Sequence, residues 1–353
     1  MKALIIIAVL IGLAGILFWY GQKNTQRSAV FLAKPEIKSE AATTETILEN
    51  LEIPWEIAFL PTGEMLITQR PGKLIKVGSQ KEIIEVEGVA HIGEGGLLGM
   101  ALDPAFADNN FVYLYLTGKN GSQFSNRVER YKLYGSKLVE RKIIVEGILG
   151  SSIHDGGRIA FGPDGYLYIA TGDAGNSSLA QDKNSLNGKI LRVRNDGTGL
   201  EIYSMGHRNV QGLAWDSNGR LWATEHGRSG IQSGLDELNL IEKGRNYGWP
   251  VIQDSEKKEG MEMPVIHSAD DTWAPSGMTY VNGSLFFAGL RGEALYEYKI
   301  KEGKLVEYFK NQFGRLRTVV LGPDGFLYLL TNNTDGRGTP KEGDDKIIKV
   351  KIP

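Results

Sequence analysis

The chain contains no cysteine. That single absence removes disulfides, zinc–thiolate sites, iron–sulfur clusters, thiol nucleophiles and a lipid-acceptor cysteine. An excess of either charge is missing as well. Forty Lys plus Arg face 42 Asp plus Glu, a formal net charge of -2, so no field exists to hold a polyanion and nucleic acid is excluded as the expected partner. Helical periodicity longer than two turns is absent after residue 50. Chemistry must therefore come from oxygen, imidazole or guanidinium groups, or from a cofactor. Glycine is what the chain has in plenty: 45 of 353 residues, with no triplet period, which implies many tight turns.

One long apolar run occurs, ALIIIAVLIGLAGILFWY from Ala3 to Tyr20, with Lys2 before it and an aromatic pair suited to a bilayer interface at its end. It reads as an uncleaved anchor in preference to a secretory signal, because the small residues Ala29 and Ala33 that could mark cleavage lie far beyond it. Lys2 on one side and Lys23 and Arg27 on the other leave orientation undecided. The expected organisation is a membrane or signal segment over 1–20, a polar tether over 21–49 and a catalytic body over 50–353.

Length alone would suggest two domains, but repeats decide otherwise. Segments 56–77, 99–118, 157–173, 211–227, 276–292 and 317–333 each give a short apolar strand, a turn rich in Pro, Asp, Asn or Gly, and an aromatic or aliphatic second strand. Six copies at blade spacing predict an all-β, six-bladed β-propeller. Between the copies, NRVERYKL, GKILRV, DELNLI, EALYEYKI and DDKIIKV supply further strands. Radial closure hides the edges that an open sheet of this size would expose.

A propeller is only a scaffold, so function is sought in departures from the repeat. His154, in SSIHDGGRIAFG, precedes an inner strand, where an imidazole with a reference pKa of about 6.5 could act as a general base. Asp173 ends the second strand of the same hairpin and would lie beside it, able to orient the ring. The alternatives are a histidine bonded within a turn and an aspartate opening an Asx turn. Arg208 and Asn209, in GHRNVQG, hold the matching place one blade on and offer a cation and an amide to an anionic cofactor or a developing oxyanion. Arg315 and Arg317 alternate in GRLRTVV, which directs both to one face and suggests bound carboxylates. In TEHGRSG the glycines permit inward carbonyls, hard ligands for Ca²⁺; Glu237, with Tyr247 in DELNLIEKGRNYGWP, offers a partial Ca²⁺ shell, for which an ordinary turn is the alternative.

Long ordered stretches, GEGGLLGMALDPAF, HDGGRIAFGPDGYLYIATGDAG, LNGKILRV, GHRNVQGLAW and DELNLIEKGRNYGWP, resemble the glucose/sorbosone dehydrogenase family from about Leu51 to Val350. The resemblance implies a six-bladed propeller that uses pyrroloquinoline quinone (PQQ) and Ca²⁺ to oxidise aldose sugars. It implies that His154 is the base, Asp173 its orienting partner, Arg208 and Asn209 cofactor contacts, and Arg315 and Arg317 ligands of the cofactor carboxylates. The carbonyls of Gly227 and Arg228 would bind the cofactor's calcium, and Glu237 with Tyr247 a structural calcium.

The chain departs from the family at four places. Arg291 stands where a lysine is common, and Arg228 where a proline usually follows the metal-binding glycine. Glu94 replaces a cofactor-contacting glutamine, an unfavourable acid unless an arginine or the metal offsets it. Between Asn176 and Gln181 a sugar-contacting glutamine is missing, which leaves sugar preference open. No redox relay is encoded, so the implied partners are an aldose substrate and an external acceptor such as a membrane quinone or cytochrome. An extracytoplasmic, singly tethered monomer is the preferred arrangement. Non-catalytic ligand binding and Ca²⁺-dependent hydrolysis are the competing functional classes.

Overall fold

A computed structural model describes residues 30–31, 35–37, 43–228 and 233–351. The expected membrane or signal segment and most of the tether lie outside the described residues. No helix among those described is long and apolar enough to cross a membrane.

The described body is a closed ring of six antiparallel sheets. Blade 1 runs Pro54–Phe59, Met65–Gln69, Lys73–Val77 and Lys81–Glu85 from the axis outward. Blade 2 follows with Leu97–Leu102, Phe111–Asn120, Gln123–Tyr134 and Lys137–Leu149, and blade 3 with Ile159–Phe161, Leu167–Ala170, Lys189–Val193 and Glu201–Met205. Blade 4 comprises Val210–Trp215, Leu221–Glu225, Glu237–Ile241 and Ile266–His267. Blade 5 is Pro275–Val281, Ser284–Gly289, Ala294–Lys299 and Lys304–Tyr308. Each inner strand packs on the next, and Leu316–Leu321 of blade 6 returns to Pro54–Phe59. All six hairpins and all five intervening strands expected from the sequence are present.

One boundary is corrected. Blade 6 contains Leu316–Leu321, Leu327–Thr331 and Ile347–Lys351, and its outer strand is Thr43–Leu48, which falls within the expected tether over 21–49. Val30–Phe31 and Glu36–Ile37 add parallel pairs to the outer edges of blades 4 and 5. The tether reading failed at TTETIL because this strand is mostly exposed and carries no apolar alternation; its partner supplies the pairing from the other end of the chain.

The sheets pack through apolar clusters between blades, while turn aspartates latch the hairpins. Asp103, Asp164 and Asp324 accept from the hydroxyls of Tyr113, Tyr168 and Tyr328 at 3.0, 2.9 and 2.9 Å. Asp216 does the same for Trp222 Nε1 at 3.0 Å.

What positions the site is a repeated irregularity. Five of the six inner strands shift register at their first residues. Such a bulge breaks alternation and re-aims a side chain. The residues inserted at three of these shifts, Trp55, Gln211 and Arg317, all line one pocket at the axis.

Candidate active site

The pocket is built from the loops that enter the inner strands and those that leave the second strands. Antiparallel pairing brings the two sets side by side. Asp173 N donates to Arg208 O at 2.8 Å, and Gly172 bridges Asn209, so blades 3 and 4 are joined at the site itself.

His154 sits in a left-handed conformation, φ +57°, which costs a non-glycine residue about 1–2 kcal/mol. Two contacts hold it there. Its N–H donates to Glu94 Oε2 at 2.8 Å, and its carbonyl packs so closely on Gly172 that a Cβ there would lie 1.8 Å away. Nδ1 meets Asp173 Oδ1 at 2.7 Å. Asp173 also accepts from Gly175 N at 2.8 Å and Trp249 Nε1 at 2.9 Å. Burial opposes its charge, but these bonds prevail and hold the carboxyl below its ordinary range. An ionised Asp173 takes Nδ1–H and leaves Nε2 as the acceptor, on a side chain still 13% exposed.

Arg208 donates its backbone N–H to Glu225 Oε1 and lies 5.4 Å from the Trp249 ring centroid. Asn209 Oδ1 accepts from Gly156 N at 3.0 Å and Gln211 Nε2 at 3.1 Å. Beneath the loop that follows Asp173, Lys189 is fully buried and donates to the carbonyls of Asn187, Leu179 and Ala180 at 2.7, 2.8 and 3.1 Å. Gln181 bonds Asn246 and Trp249 O from the same loop, the latter at 2.7 Å. Loop and base partner are thus one latched unit.

Arg315 and Arg317 are both buried near Asp335, although the bulge at Arg317 breaks the alternation expected to align them. Arg315 Nη2 lies 3.3 Å from Asp335 Oδ2 and Arg70 Nη1 4.0 Å from it. The first anion of this cluster is therefore the chain's own. Arg317 bonds Gln211 Oε1 at 3.1 Å and Ser276 Oγ at 3.4 Å, yet its Nε has no partner. Burial first, then Arg70, push its guanidinium down to about 9, a strained cation that an anion would relieve.

Glu94 is offset as its position requires. Its Oε1 pairs with Arg337 at 2.8 Å across the pocket. Burial works against its charge, but Arg337 and the His154 N–H bring it down to about 2. Arg291 lies further out: its guanidinium bonds Ser233 Oγ at 2.8 Å, and its neighbour Leu290 lines the pocket in its stead.

A second cavity brings Gly227, Glu237 and Tyr247 together with Arg208, Glu225 and His226. A Cβ at Gly227 would lie 2.2 Å from Gly234 O, so the approach of the two loops demands glycine. The Arg228 carbonyl takes only a long 3.4 Å bond from Gly234 N. Glu237 faces Glu225 across the strand pair; burial and then that like charge push its carboxyl up. The Tyr247 hydroxyl is spent on Leu240 O at 2.6 Å, and the ring stacks on His207. No three His, Asp or Glu side chains among the described residues form a metal cage, so a cation here needs backbone carbonyls.

Sequence reasoning missed Trp55, Arg70, Asp155, Gln211, His226, Trp249, Asp335 and Arg337. His226, Arg70 and Asp155, like Arg317, carry buried polar atoms without partners. The unpartnered N–H groups of Arg70 and Arg317 suit an acceptor-rich anion.

A carboxylate-oriented imidazole at the rim of this cationic pocket marks a catalytic propeller. The chain belongs to the glucose/sorbosone dehydrogenase family, whose profile matches residues 51–340. It is 31% identical to Aldose sugar dehydrogenase YliI of Escherichia coli over 83% of this chain and 90% of that one. Identity is 35% with the Synechocystis protein slr1608, over 86% of both chains. The PQQ-bound form of aldose sugar dehydrogenase from Streptomyces coelicolor superposes with a TM-score of 0.81 and 40% identity, over 89% of this chain and 99% of that one.

Proposed function

We propose that this chain oxidises aldose sugars at C1 to lactones with PQQ and Ca²⁺, and delivers the electrons to an external acceptor. The observation that carries the reading is the 2.7 Å His154–Asp173 pair beside a pocket of buried, incompletely satisfied arginines. The Streptomyces coelicolor neighbour and the Escherichia coli relative support it by what their names state.

With Nδ1–H committed to Asp173, His154 Nε2 takes the proton of the anomeric hydroxyl, and Asp173 stabilises the imidazolium that forms. When bound, PQQ supplies the acceptor for the hydride leaving C1. Arg315, Arg317 and Asn209 are the groups suited to hold its oxygens, Arg208 to steady developing negative charge, and Arg291 to add an outer cation. The carbonyls of Gly227 and Arg228 suit the calcium of the cofactor, and Glu237 with the Tyr247 carbonyl a structural one. A membrane quinone or a cytochrome is the acceptor class that fits a body tethered through residues 3–20. We place that body outside the cytoplasm, as a monomer, released if the apolar run is cleaved.

The test is dye reduction by the purified chain across an aldose panel, with PQQ and Ca²⁺ added separately and together. Activity that requires both additions is the expected result, with a lactone as product. Failure of PQQ to bind would overturn the reading.

A further inference from the structure

Asp155 follows the base directly, is 2% exposed, and shares the axial pocket with Gly156, Asn209, Gln211 and Arg317. Its two oxygens are treated unequally. Oδ1 accepts from Asn126 Nδ2 at 2.8 Å and Ser151 N at 3.0 Å, whereas Oδ2 is buried with no partner. The backbone carbonyl is held by the Tyr115 hydroxyl at 2.8 Å, and the two bonds to Oδ1 hold the carboxyl in place. It forms no ion pair among the described residues.

A carboxylate buried with one bare oxygen is expensive, whereas the neutral acid turns that oxygen into a donor. The surroundings favour the acid. Burial raises the affinity of Asp155 for its proton to about 7; the bonds from Asn126 and Ser151 and the more distant Arg70 oppose this, and Glu94 adds to it. The other charged or titratable groups of this pocket are Arg317, His226 and Arg337, with His154 next in the chain and Tyr115 behind.

We propose that Asp155 enters the cofactor complex as the neutral acid and donates its Oδ2–H to an acceptor oxygen or nitrogen of the bound quinone. The inference rests on the quinoprotein reading above and adds a condition to it: the cofactor is taken up together with a proton wherever Asp155 is ionised in the free protein. Affinity then falls by about tenfold per pH unit once that ionisation is complete. Ionised Asp155 would set a further negative charge against the cofactor carboxylates.

The experiment is calorimetric titration of the full chain with PQQ at fixed Ca²⁺, from pH 6 to pH 8, below the range in which Arg317 itself loses its charge, in buffers of differing ionisation enthalpy. Wild type should lose about tenfold in affinity between pH 6 and pH 8 and take up close to one proton per PQQ at the upper end. Asp155→Asn keeps the shape and a donor but cannot ionise, so its affinity should be nearly flat. A flat wild type, or an unchanged slope in Asp155→Asn, overturns the proposal. No PQQ binding at any pH overturns the quinoprotein reading instead. Infrared difference spectra of wild type at pH 8 need no variant: a protonated-carboxyl band must grow as PQQ binds, and its absence counts against Asp155.

Discussion

Replacing Glu94 by glutamine keeps the side chain's shape but removes its charge, which has two opposed consequences. In the folded chain the carboxyl sits at about 2 against an ordinary 4.5, which as a linkage difference sets an upper bound of about 3 kcal/mol. Arg337 is 47% exposed, so water screens the pair and about 1–2 kcal/mol is the reasonable expectation. For a domain of this size that is roughly 2–3 °C in melting temperature. The sign follows from a depressed acid: the contribution is complete above about pH 4.5 and disappears as pH falls towards 2. Glu94→Gln should therefore melt below wild type at pH 7, with the gap closing through that acid window for as long as the fold survives. PQQ affinity should move the other way, since one negative charge leaves a partly hydrated pocket built for an anion, a gain of about 1 kcal/mol. Melting curves and calorimetric titrations of both proteins test this. A melting gap equally wide near pH 3 and pH 7, or affinity falling with stability, would refute the reasoning.

His154→Ala should lose at least about 10²-fold in kcat while PQQ still binds, and unchanged turnover removes it as the base. Arg315→Ala with Arg317→Ala should fail to retain cofactor; a normal holoenzyme absorption spectrum contradicts their role. Trp249→Phe deletes one bond to a charged acceptor, worth about 1.5–3 kcal/mol. The pH profile of kcat should shift as Asp173 becomes less acidic, and a fall in rate at constant profile would mean packing damage alone. Lys189→Met strands three buried carbonyls, so a loss of about 2–4 kcal/mol in denaturant unfolding is expected, and a neutral result would show the loop needs no clamp.

The blades were legible because each hairpin writes its own period-two pattern and turn within about 20 residues. His154, Asp173, Arg208 and Asn209 were legible for a related reason: each sits at a fixed offset from such a hairpin, so the repeat itself locates it. The rest of the pocket has no local signature. Trp55, Gln211 and Arg317 reach the axis through register shifts, which break the alternation that sequence reading depends on. Arg337 matters because Glu94, 243 residues earlier, lies opposite it. Glu94 enters blade 2 and Arg337 belongs to blade 6, toward opposite ends of the chain, and only closure of the ring brings them together.

That closure also orders events in time. The outer strand of blade 6 is made first, as Thr43–Leu48, and its partner Ile347–Lys351 last. At about 5–20 residues per second, translation separates the two by about 15–60 s, during which the early strand has no edge to join. TTETIL suits such a wait: threonines and a glutamate keep it soluble alone, where a long apolar strand would invite pairing with another nascent chain. The polarity that hid this strand in the sequence lets it remain single until the ring can close on it.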